Sequence, residues 1–411
     1  MQLIKSFKPF NLNFNDLNLD PGLMEGITSM GFEKPTPVQE KAIPEILEGK
    51  DLLGFAQTGT GKTAAFLIPL INFIAGSGDE NSIKAMIIVP TRELALQIDQ
   101  QMQGLAYFTG VSSIAIYGGG DGTSFVQEKT ALSKGANVII CTPGKIIAHF
   151  VHDYVKIGNL KYLVLDEADR MLDMGFYEDI MKIISNLPGK RQNLMFAATM
   201  PDNIRKLANN VLNDPVEVKI ALSKPVEKIL QAAYSIYDNQ KIPLLKDLVR
   251  HEELKRVLVF CSTKSGTKTL ARELKKSGLP AEEIHSDLEQ REREKVLNAF
   301  KSKQVKILVA TDVVSRGIDI EDIDLVINYD VPNDSEDYIH RIGRTARAEA
   351  DGIAITFISP REQSQFARIE KFLGKPVNKP PLPTELGKGP EYNPVSKPHF
   401  RDRKHKGRKR K

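Results

Sequence analysis

The chain has 411 residues, of which 41% are hydrophobic and 27% are charged, a composition typical of globular proteins rather than disordered or fibrous ones. This length exceeds one ordinary core, so we expect two domains plus extensions. The net charge is +5, and residues 401–411 alone carry +7, which leaves about −2 for the rest of the chain. Such a basic tail indicates a nucleic acid or another polyanion as partner, although a solvated tail without a function is the alternative.

The two cysteines give no disulfide framework. Cys141 and Cys261 each end an apolar run, in different halves of the chain, which suits a reducing compartment. The first ten residues, MQLIKSFKPF, lack an apolar signal core, and no run approaches membrane-spanning length. We therefore expect a soluble, cytoplasmic protein with no membrane contact.

Short apolar runs alternate with longer amphipathic segments, which predicts mostly parallel sheets with crossover helices. In the first half, the predicted strands are DLLGFA, AMIIVP, SSIAIYG, NVIICT, YLVLDE and NLMFAAT. A predicted helix, TRELALQIDQQMQGLAYF, carries a largely one-sided apolar stripe formed by Leu94, Leu96, Ile98 and Met102. These elements predict an α/β domain over residues 1–220.

The alternation pauses near LNDPVEVKIALSKPVEK, where we place a linker at residues 221–228. It resumes with LQAAYSIY, RVLVFC, AEEIHS, KILVAT, DLVINY and GIAITFIS, which predict a second α/β domain over residues 229–375. Residues 376–411 are too rich in proline, glycine and basic residues for a core and are predicted to be disordered. Two such domains suggest a cleft, with ligands at the carboxyl ends of the strands.

The segment AQTGTGKT follows a predicted strand and opens a predicted helix, the context of a phosphate-binding loop. Its backbone amides and the helix N-terminus would hold phosphates; Lys62 would reach the β- and γ-phosphates, and the Thr63 hydroxyl would bind Mg²⁺. A chance glycine turn is the alternative, and the strict pattern has glycine where Ala56 stands. The predicted nucleotide-binding residues here are Ala56, Gln57, Thr58, Gly59, Thr60, Gly61, Lys62 and Thr63.

A second acidic motif, in KYLVLDEADRMLDMGF, ends another predicted strand. Asp166 would hold Mg²⁺ through water, and Glu167 would orient or deprotonate the attacking water. Acidic residues are also common in the first turn of any helix. That structural alternative stays open for Asp169.

Together these motifs resemble the DEAD-box ATP-dependent RNA helicases, and the resemblance covers about residues 14–374 in the family's motif order. It implies two tandem RecA-like domains, ATP and Mg²⁺ as cofactors, and RNA as partner. In GFEKPTPVQ, Phe32 would stack on adenine and Gln39 would pair with its edge, while Phe14 resembles the aromatic residue that supports this segment. The alternative is a helix start with a buried Phe.

The segments PTRELA, GGG and TPGK resemble the family's RNA-facing motifs in the first domain, and VLVFCST, QRER and ATDVVSRGIDI those in the second. As strand-end loops they suit phosphate and ribose contacts, although each alone could be a connecting turn. By the resemblance, Asp319 would lie near the ribose of ATP. The RNA-contacting residues that it implies are Pro90, Thr91, Arg92, Gly119, Thr142, Pro143, Gly144, Arg293 and Thr311.

In HRIGRTAR, helical spacing would put Arg344 and Arg347 on one face, and the resemblance implies that both reach the γ-phosphate. An arginine finger contributes ~10³–10⁵ in rate. Because these arginines lie on the other domain, hydrolysis should be slow until RNA draws the domains together. The implied catalytic residues are Lys62, Asp166, Glu167, Arg344 and Arg347. The implied interdomain coupling residues are Asp169, Thr199, His340 and Arg341.

Three residues depart from the family pattern. Ala197 replaces a serine, which removes a hydrogen bond to the acidic motif, expected at Asp169, and puts unwinding in more doubt than ATPase activity. Lys145 replaces an arginine and so loses its bidentate fork. Ala346 replaces a glycine, which is a mild change if the residue is helical.

The resulting prediction is RNA-stimulated ATP hydrolysis coupled to local, non-processive RNA strand separation by a monomer. Rival hypotheses are a translocating DNA helicase, an RNA clamp with poor turnover, and a P-loop GTPase, which the lack of an Asn-Lys-x-Asp motif disfavours. The pair His149 and His152 has metal-ligand spacing, but no nearby cysteine or acid in the sequence completes a site.

Overall fold

The computed structural model describes residues 12–56, 60–77, 82–119, 122–198, 200–219, 229–250, 253–311, 323–345 and 352–394, with residues 122–124, 290 and 336 described by backbone alone. The chain divides into two compact units, Met1–Ser223 and Lys224–Lys411. The linker predicted at 221–228 lies outside the described residues.

The first unit is built on a seven-stranded parallel sheet in the order β3-β4-β2-β5-β6-β1-β7. Its strands are β1 Leu52–Phe55, β2 Ala85–Ile88, β3 Ser113–Ile116, β4 Val138–Cys141, β5 Tyr162–Leu165, β6 Gln192–Ala197 and β7 Val216–Lys219. The first six were predicted. The edge strand β7 was not, because it is short and buries only Val218.

Helices cover both faces of this sheet over two apolar clusters. They are α1 Pro21–Ser29, α2 Pro37–Leu47, α3 Lys62–Ala75, α4 Arg92–Ala106, α5 Gly122–Lys134, α6 Pro143–Phe150, α7 Ala168–Asp173, α8 Tyr177–Ser185 and α9 Asp202–Val211, with a 3₁₀ turn at Phe14–Leu17. In α4, Leu94, Ile98 and Met102 are buried as predicted. Leu96 is 39% exposed and does not belong to the stripe.

The second unit holds a six-stranded parallel sheet in the order β10-β11-β9-β12-β13-β8. Its strands are β8 Ile229–Ser235, β9 Val257–Phe260, β10 Ala281–Ile284, β11 Ile307–Ala310, β12 Leu325–Asn328 and β13 Gly352–Ile358. Its described helices are α10 Asp238–Val249, α11 Lys264–Lys276, α12 Gln290–Lys301, α13 Ser335–Ile342 and α14 Gln363–Leu373, with 3₁₀ turns at Gly343–Thr345 and Thr384–Leu386. The predicted α/β class with two parallel sheets is confirmed.

Residues 376–394 are ordered against the second unit, so the prediction of disorder from residue 376 needs correction. The Asn378 carbonyl accepts a hydrogen bond from Ala233 N on the edge strand β8, at 2.8 Å. The Tyr392 hydroxyl donates to Glu370 (2.7 Å), and the Gln240 side chain donates to the Leu386 carbonyl (2.7 Å). Prolines prevent this strap (residues 376–394) from forming its own core, but not from docking on an existing one. Residues 395–411 lie outside the described part.

Within the described residues, no helix combines the length and the hydropathy needed to cross a bilayer.

Candidate nucleotide and RNA site

Because all strands of the first sheet are parallel, the loops that follow their carboxyl ends meet at one edge. The predicted phosphate loop follows β1, and the acidic motif follows β5. The loops predicted to face RNA follow β2, β3 and β4. The topology therefore brings these sequence motifs to the same edge of the first unit.

The phosphate loop ends where α3 begins at Lys62, whose side chain is buried. Gly61 has φ 91°, and a Cβ there would lie 2.6 Å from Gln39 Nε2 and 2.8 Å from Thr36 Oγ1. Both the backbone conformation and the contact therefore require glycine. The start of α3 supplies positive potential for phosphate. Residues 57–59 of the loop lie outside the described residues.

Gln39 is fully buried and joins the predicted adenine-reading segment to the phosphate loop. Its Oε1 accepts from Thr36 N at 2.9 Å, and its Nε2 donates to the Gly61 carbonyl at 3.1 Å. A carboxamide has two donor hydrogens and two acceptor lone pairs, so capacity for a base remains. Phe14 is buried in the adjacent core, and the half-buried Phe32 packs against that core. Stacking on adenine stays a prediction.

The acidic motif places a carboxylate in the interior. Asp166 is 2% exposed, and its Oδ1 accepts from Glu167 N at 2.9 Å. Burial raises the pKa of Asp166 to about 6, an effect that the positive charge of Lys62 partly opposes. Glu167 has φ 50° and ψ 48°, an uncommon left-handed conformation for a residue with a side chain. Strained backbone of this kind clusters at functional sites.

Arg170 was not identified from the sequence, yet it holds the predicted general base. Its Nη1 lies 3.0 Å from Glu167 Oε2, and both side chains are largely shielded from water. Charge-assisted bonds in such surroundings are strong and fix the carboxylate's direction. The available sequence signal was the three-residue spacing at a helix start, which puts the two side chains on one face.

Asp169 connects the acidic motif to the end of β6. Its Oδ2 accepts from Ala198 N at 2.8 Å, and its Oδ1 accepts from Arg170 N at 3.0 Å. Asp169 is thus joined to the end of β6 through the backbone of Ala198, and the loss of a hydroxyl bond at Ala197 stays a prediction. Thr199, predicted to act here, lies outside the described residues.

The predicted RNA-facing residues of the first unit occupy helix starts and tight turns. Thr91 caps α4 by accepting from Leu94 N at 3.4 Å, and Arg92 stacks over the Tyr117 ring at 4.6 Å. Gly119 has φ 84°, which favours glycine. Pro90 follows β2; Thr142, Pro143 and Gly144 open α6 directly after β4. These backbone amides and hydroxyls suit phosphate contacts.

In the second unit, the predicted residues are engaged locally. Thr311 follows β11 and is buried. Arg293 donates from Nε to the Leu288 carbonyl (3.1 Å) and from Nη2 to the Ser286 carbonyl (2.8 Å). Arg341 is buried, with its Nη1 3.2 Å from Asn328 Oδ1 and 3.0 Å from the Asp330 carbonyl. RNA and coupling roles for these arginines stay predictions.

The arginine motif departs from the predicted continuous helix. The helix α13 ends at Ile342, and Arg344 lies half-buried in the 3₁₀ turn Gly343–Thr345. His340 lies in the last turn of α13. Asp319, Ala346 and Arg347 lie outside the described residues, so the shared face of Arg344 and Arg347 is untested.

The donor set at the β1 and β5 ends fits magnesium. Mg²⁺ takes oxygen ligands and in nucleotide sites uses one or two carboxylates together with substrate phosphates. Asp166 and the Thr63 hydroxyl are oxygen donors of this kind, next to a helix N-terminus that would receive the phosphates.

Two family models match the chain. The DEAD/DEAH box helicase model matches residues 36–207, and the helicase conserved C-terminal domain model matches residues 240–349. Together they cover most of the described residues of both units.

Named relatives and solved structures extend this match. The chain is 41% identical to ATP-dependent RNA helicase CshA of Listeria monocytogenes, over 90% of this chain and 71% of that protein. It is 41% identical to the CshA of Geobacillus kaustophilus, over 93% and 82%. The structure of S. cerevisiae Dbp5 bound to RNA and ADP BeF3 superposes with a TM-score of 0.79 at 30% identity, covering 89% of this chain and 95% of Dbp5.

Proposed function

The chain belongs to the DEAD-box family of ATP-dependent RNA helicases, and from this we propose how its own residues carry out RNA-dependent ATP hydrolysis and RNA unwinding. Lys62 and the start of α3 hold the β- and γ-phosphates. Gln39 pairs with adenine while its side chain is bonded to the Gly61 carbonyl. Binding of the base is therefore coupled to the position of the phosphate loop.

The reaction transfers the γ-phosphoryl group to water. Water attacks the γ-phosphorus, the bond to the bridging oxygen of ADP breaks, and Glu167 orients the water and accepts its proton. Arg170 keeps the Glu167 carboxylate in place. Thr63 and Asp166 would hold Mg²⁺, which when bound neutralises charge on the phosphates.

The second unit supplies arginine side chains that stabilise the negative charge on the γ-phosphate in the transition state. Arg344 and Arg347 would approach the γ-phosphate when both units bind one RNA strand, through Thr91, Thr142, Thr311 and their neighbours. An arginine finger is worth ~10³–10⁵ in rate, or about 4–7 kcal/mol of barrier. RNA therefore acts as the activator, because it favours the state in which the fingers reach the ATP site.

Strand separation is local. Stacking costs ~1.4 kcal/mol per step in DNA, so opening three or four pairs needs roughly 4–6 kcal/mol. Cooperative binding of ATP and one RNA strand can supply that amount, whereas opening a long duplex exceeds it. We place this activity in the cytoplasm, in a monomer whose basic tail adds non-specific RNA affinity.

The observation that carries the proposal is the Asp166–Glu167–Arg170 arrangement at the strand edge that also bears the phosphate loop. It is tested by steady-state ATP hydrolysis without nucleic acid, with single-stranded RNA and with DNA of the same sequence. Stimulation by RNA alone, abolished in Glu167→Gln, is expected. Equal stimulation by DNA contradicts the proposal and favours a DNA helicase.

A second candidate, an RNA clamp that hardly turns over, was suggested by Ala197. The backbone bond from Ala198 N keeps Asp169 attached to the end of β6, and the similarity to relatives named as RNA helicases favours a helicase. Release of a short labelled RNA duplex distinguishes them. ATP-dependent RNA retention with negligible strand release and turnover identifies the clamp.

A further inference from the structure

A buried charged cluster lies between α5 and α6, outside the nucleotide site. Glu128 of α5 accepts from two residues of α6: its Oε2 lies 2.9 Å from Lys145 Nζ and 3.0 Å from His149 Nε2. Glu128 and His149 are buried, and Lys145 is four-fifths shielded. Burying charge is costly unless the partners are well matched, so this arrangement needs a reason.

Every polar atom of the His149 ring has a partner. Because the Glu128 carboxylate only accepts, Nε2 carries the hydrogen, and Nδ1 then accepts from the Tyr154 hydroxyl at 2.7 Å. Phe125 of α5 stacks on the ring at a centroid distance of 5.1 Å and an interplanar angle of 14°. Burial lowers the pKa of His149, which favours the neutral ring, although the neighbouring Glu128 carboxylate acts in the opposite direction. The histidine with metal-ligand spacing is therefore a structural connector between two helices.

The two connected helices share a position in the proposed mechanism. The loop containing Gly119 precedes α5, and Thr142 to Gly144 open α6. Lys145 directly follows this second loop. The contacts between the two helices constrain the distance between the two loops proposed above to bind the backbone of one RNA strand.

We propose that Glu128, Lys145 and His149 are positioning residues that fix the relative placement of these two RNA-facing loops. The inference rests on the proposed RNA-binding function of the loops. It also gives a role to Lys145, the residue that stands where the family pattern has an arginine. Its ammonium pairs with Glu128 inside the protein, so the residue organises the RNA surface and does not bind phosphate itself.

The test uses full-length protein with Glu128→Gln, which removes the charge and keeps the size. Asp153→Asn is the matched control, since Asp153 is an exposed acid in the loop after α6 and its removal changes net charge equally. Readouts are fluorescence anisotropy with labelled single-stranded RNA, the RNA concentration for half-maximal ATPase stimulation, basal ATPase rate and KM for ATP.

We expect Glu128→Gln to weaken RNA binding about three- to tenfold while leaving basal rate and KM for ATP within twofold, and Asp153→Asn to leave RNA binding unchanged or slightly tighter. Tyr154→Phe, which removes only a hydroxyl partner, should give a smaller loss. Binding by Glu128→Gln equal to that of Asp153→Asn overturns the inference. If wild-type ATPase ignores RNA, the proposed function fails, and anisotropy still decides the inference.

A double-mutant cycle separates positioning from direct phosphate contact. If the cluster acts as a unit, Lys145→Gln weakens RNA binding in the wild-type background but adds little to Glu128→Gln. Lys145→Arg should retain most of the affinity. Equal losses in both backgrounds, with the salt dependence of binding reduced by about one phosphate contact, would identify Lys145 as a phosphate ligand and overturn its positioning role.

Discussion

Both units bury charged side chains, and a comparison of Asp166 in the first unit with Lys241 in the second shows two different degrees of charge compensation. In the first unit, burial raises the pKa of Asp166 to about 6 despite the nearby Lys62. In the second, the fully buried Lys241 has Asp330, Glu362 and Asp238 at 3.2, 3.4 and 3.6 Å and the Tyr329 ring at 5.1 Å. The negative charge of Asp166 is incompletely compensated by the protein, as a cation-binding site requires. The positive charge of Lys241 is compensated by three carboxylates, which indicates a structural role.

Asp166→Asn gives the largest expected effect and the sharpest test of this contrast. We expect ATPase activity to fall on the order of 10³-fold, because several kcal/mol of transition-state stabilisation depend on this carboxylate. The same change should stabilise the nucleotide-free protein by up to roughly 3 kcal/mol above pH 6.

The pH dependence of this gain follows from the raised pKa. Between about pH 4 and pH 6 the folded state retains a proton that the unfolded state has lost, so this group's contribution to stability falls as pH rises. Urea unfolding at pH 4.5 and pH 8, for wild type and Asp166→Asn, measures the difference. If wild type and Asp166→Asn differ in free energy of unfolding by the same amount at pH 4.5 and at pH 8, Asp166 is solvated and its pKa is not raised.

Lys241→Met tests the other side of the comparison. Removing the cation leaves the partly buried carboxylates of Asp330 and Glu362 without it, and the loss costs up to about 3–5 kcal/mol, the figure for a fully buried pair. ATPase activity per folded molecule should stay within a fewfold of wild type. Denaturant unfolding checks the first expectation, and Lys246→Met on the same helix is the control. If Lys241→Met has wild-type stability but low ATPase activity, Lys241 has a functional and not a structural role.

Arg170 lies between these extremes, since it is a buried cation that contacts a catalytic carboxylate. Arg170→Gln should lower kcat about 10- to 100-fold with KM for ATP little changed, because the positioned base contributes ~10²–10⁴ in rate. Arg170→Lys should recover part of this loss. Steady-state kinetics with saturating RNA measures the effects on kcat and on KM for ATP separately. A rise in KM alone would mean that Arg170 serves nucleotide binding instead.

Tyr392→Phe in the strap has the smallest expected effect. It removes one charge-assisted hydrogen bond to Glu370, which also pairs with Lys379, and should cost about 1–2 kcal/mol of stability without changing activity. Thermal unfolding gives the measurement. An unchanged melting temperature would show that the strap contributes no stability through this bond.

The sequence was sufficient to predict strands and the positions of site residues where the surroundings of a residue depend on its neighbours in the chain. Apolar runs predicted twelve strands, and Lys62 and Asp166 were located because loop residues follow strand ends. It was insufficient where distant segments meet. The bond between Gln39 and Gly61, the pairing of Lys145 with Glu128, and the docking of Tyr392 all depend on packing between separate elements. The edge strand β7 was missed because four residues with one buried side chain give almost no periodic signal.

The position of β8 at the sheet edge has a consequence for biosynthesis. Among the strands of the second unit this one emerges first from the ribosome, yet within the described residues its partners are β13, which follows about 120 residues later, and the strap beyond it. At ~5–20 residues per second, β8 waits about 6–25 seconds for its partner. Meanwhile its open hydrogen-bonding groups are a template for pairing with other chains. In the first unit β1 waits longer still, since its partners β6 and β7 follow about 140 and 160 residues later, so both units should need chaperone protection during translation.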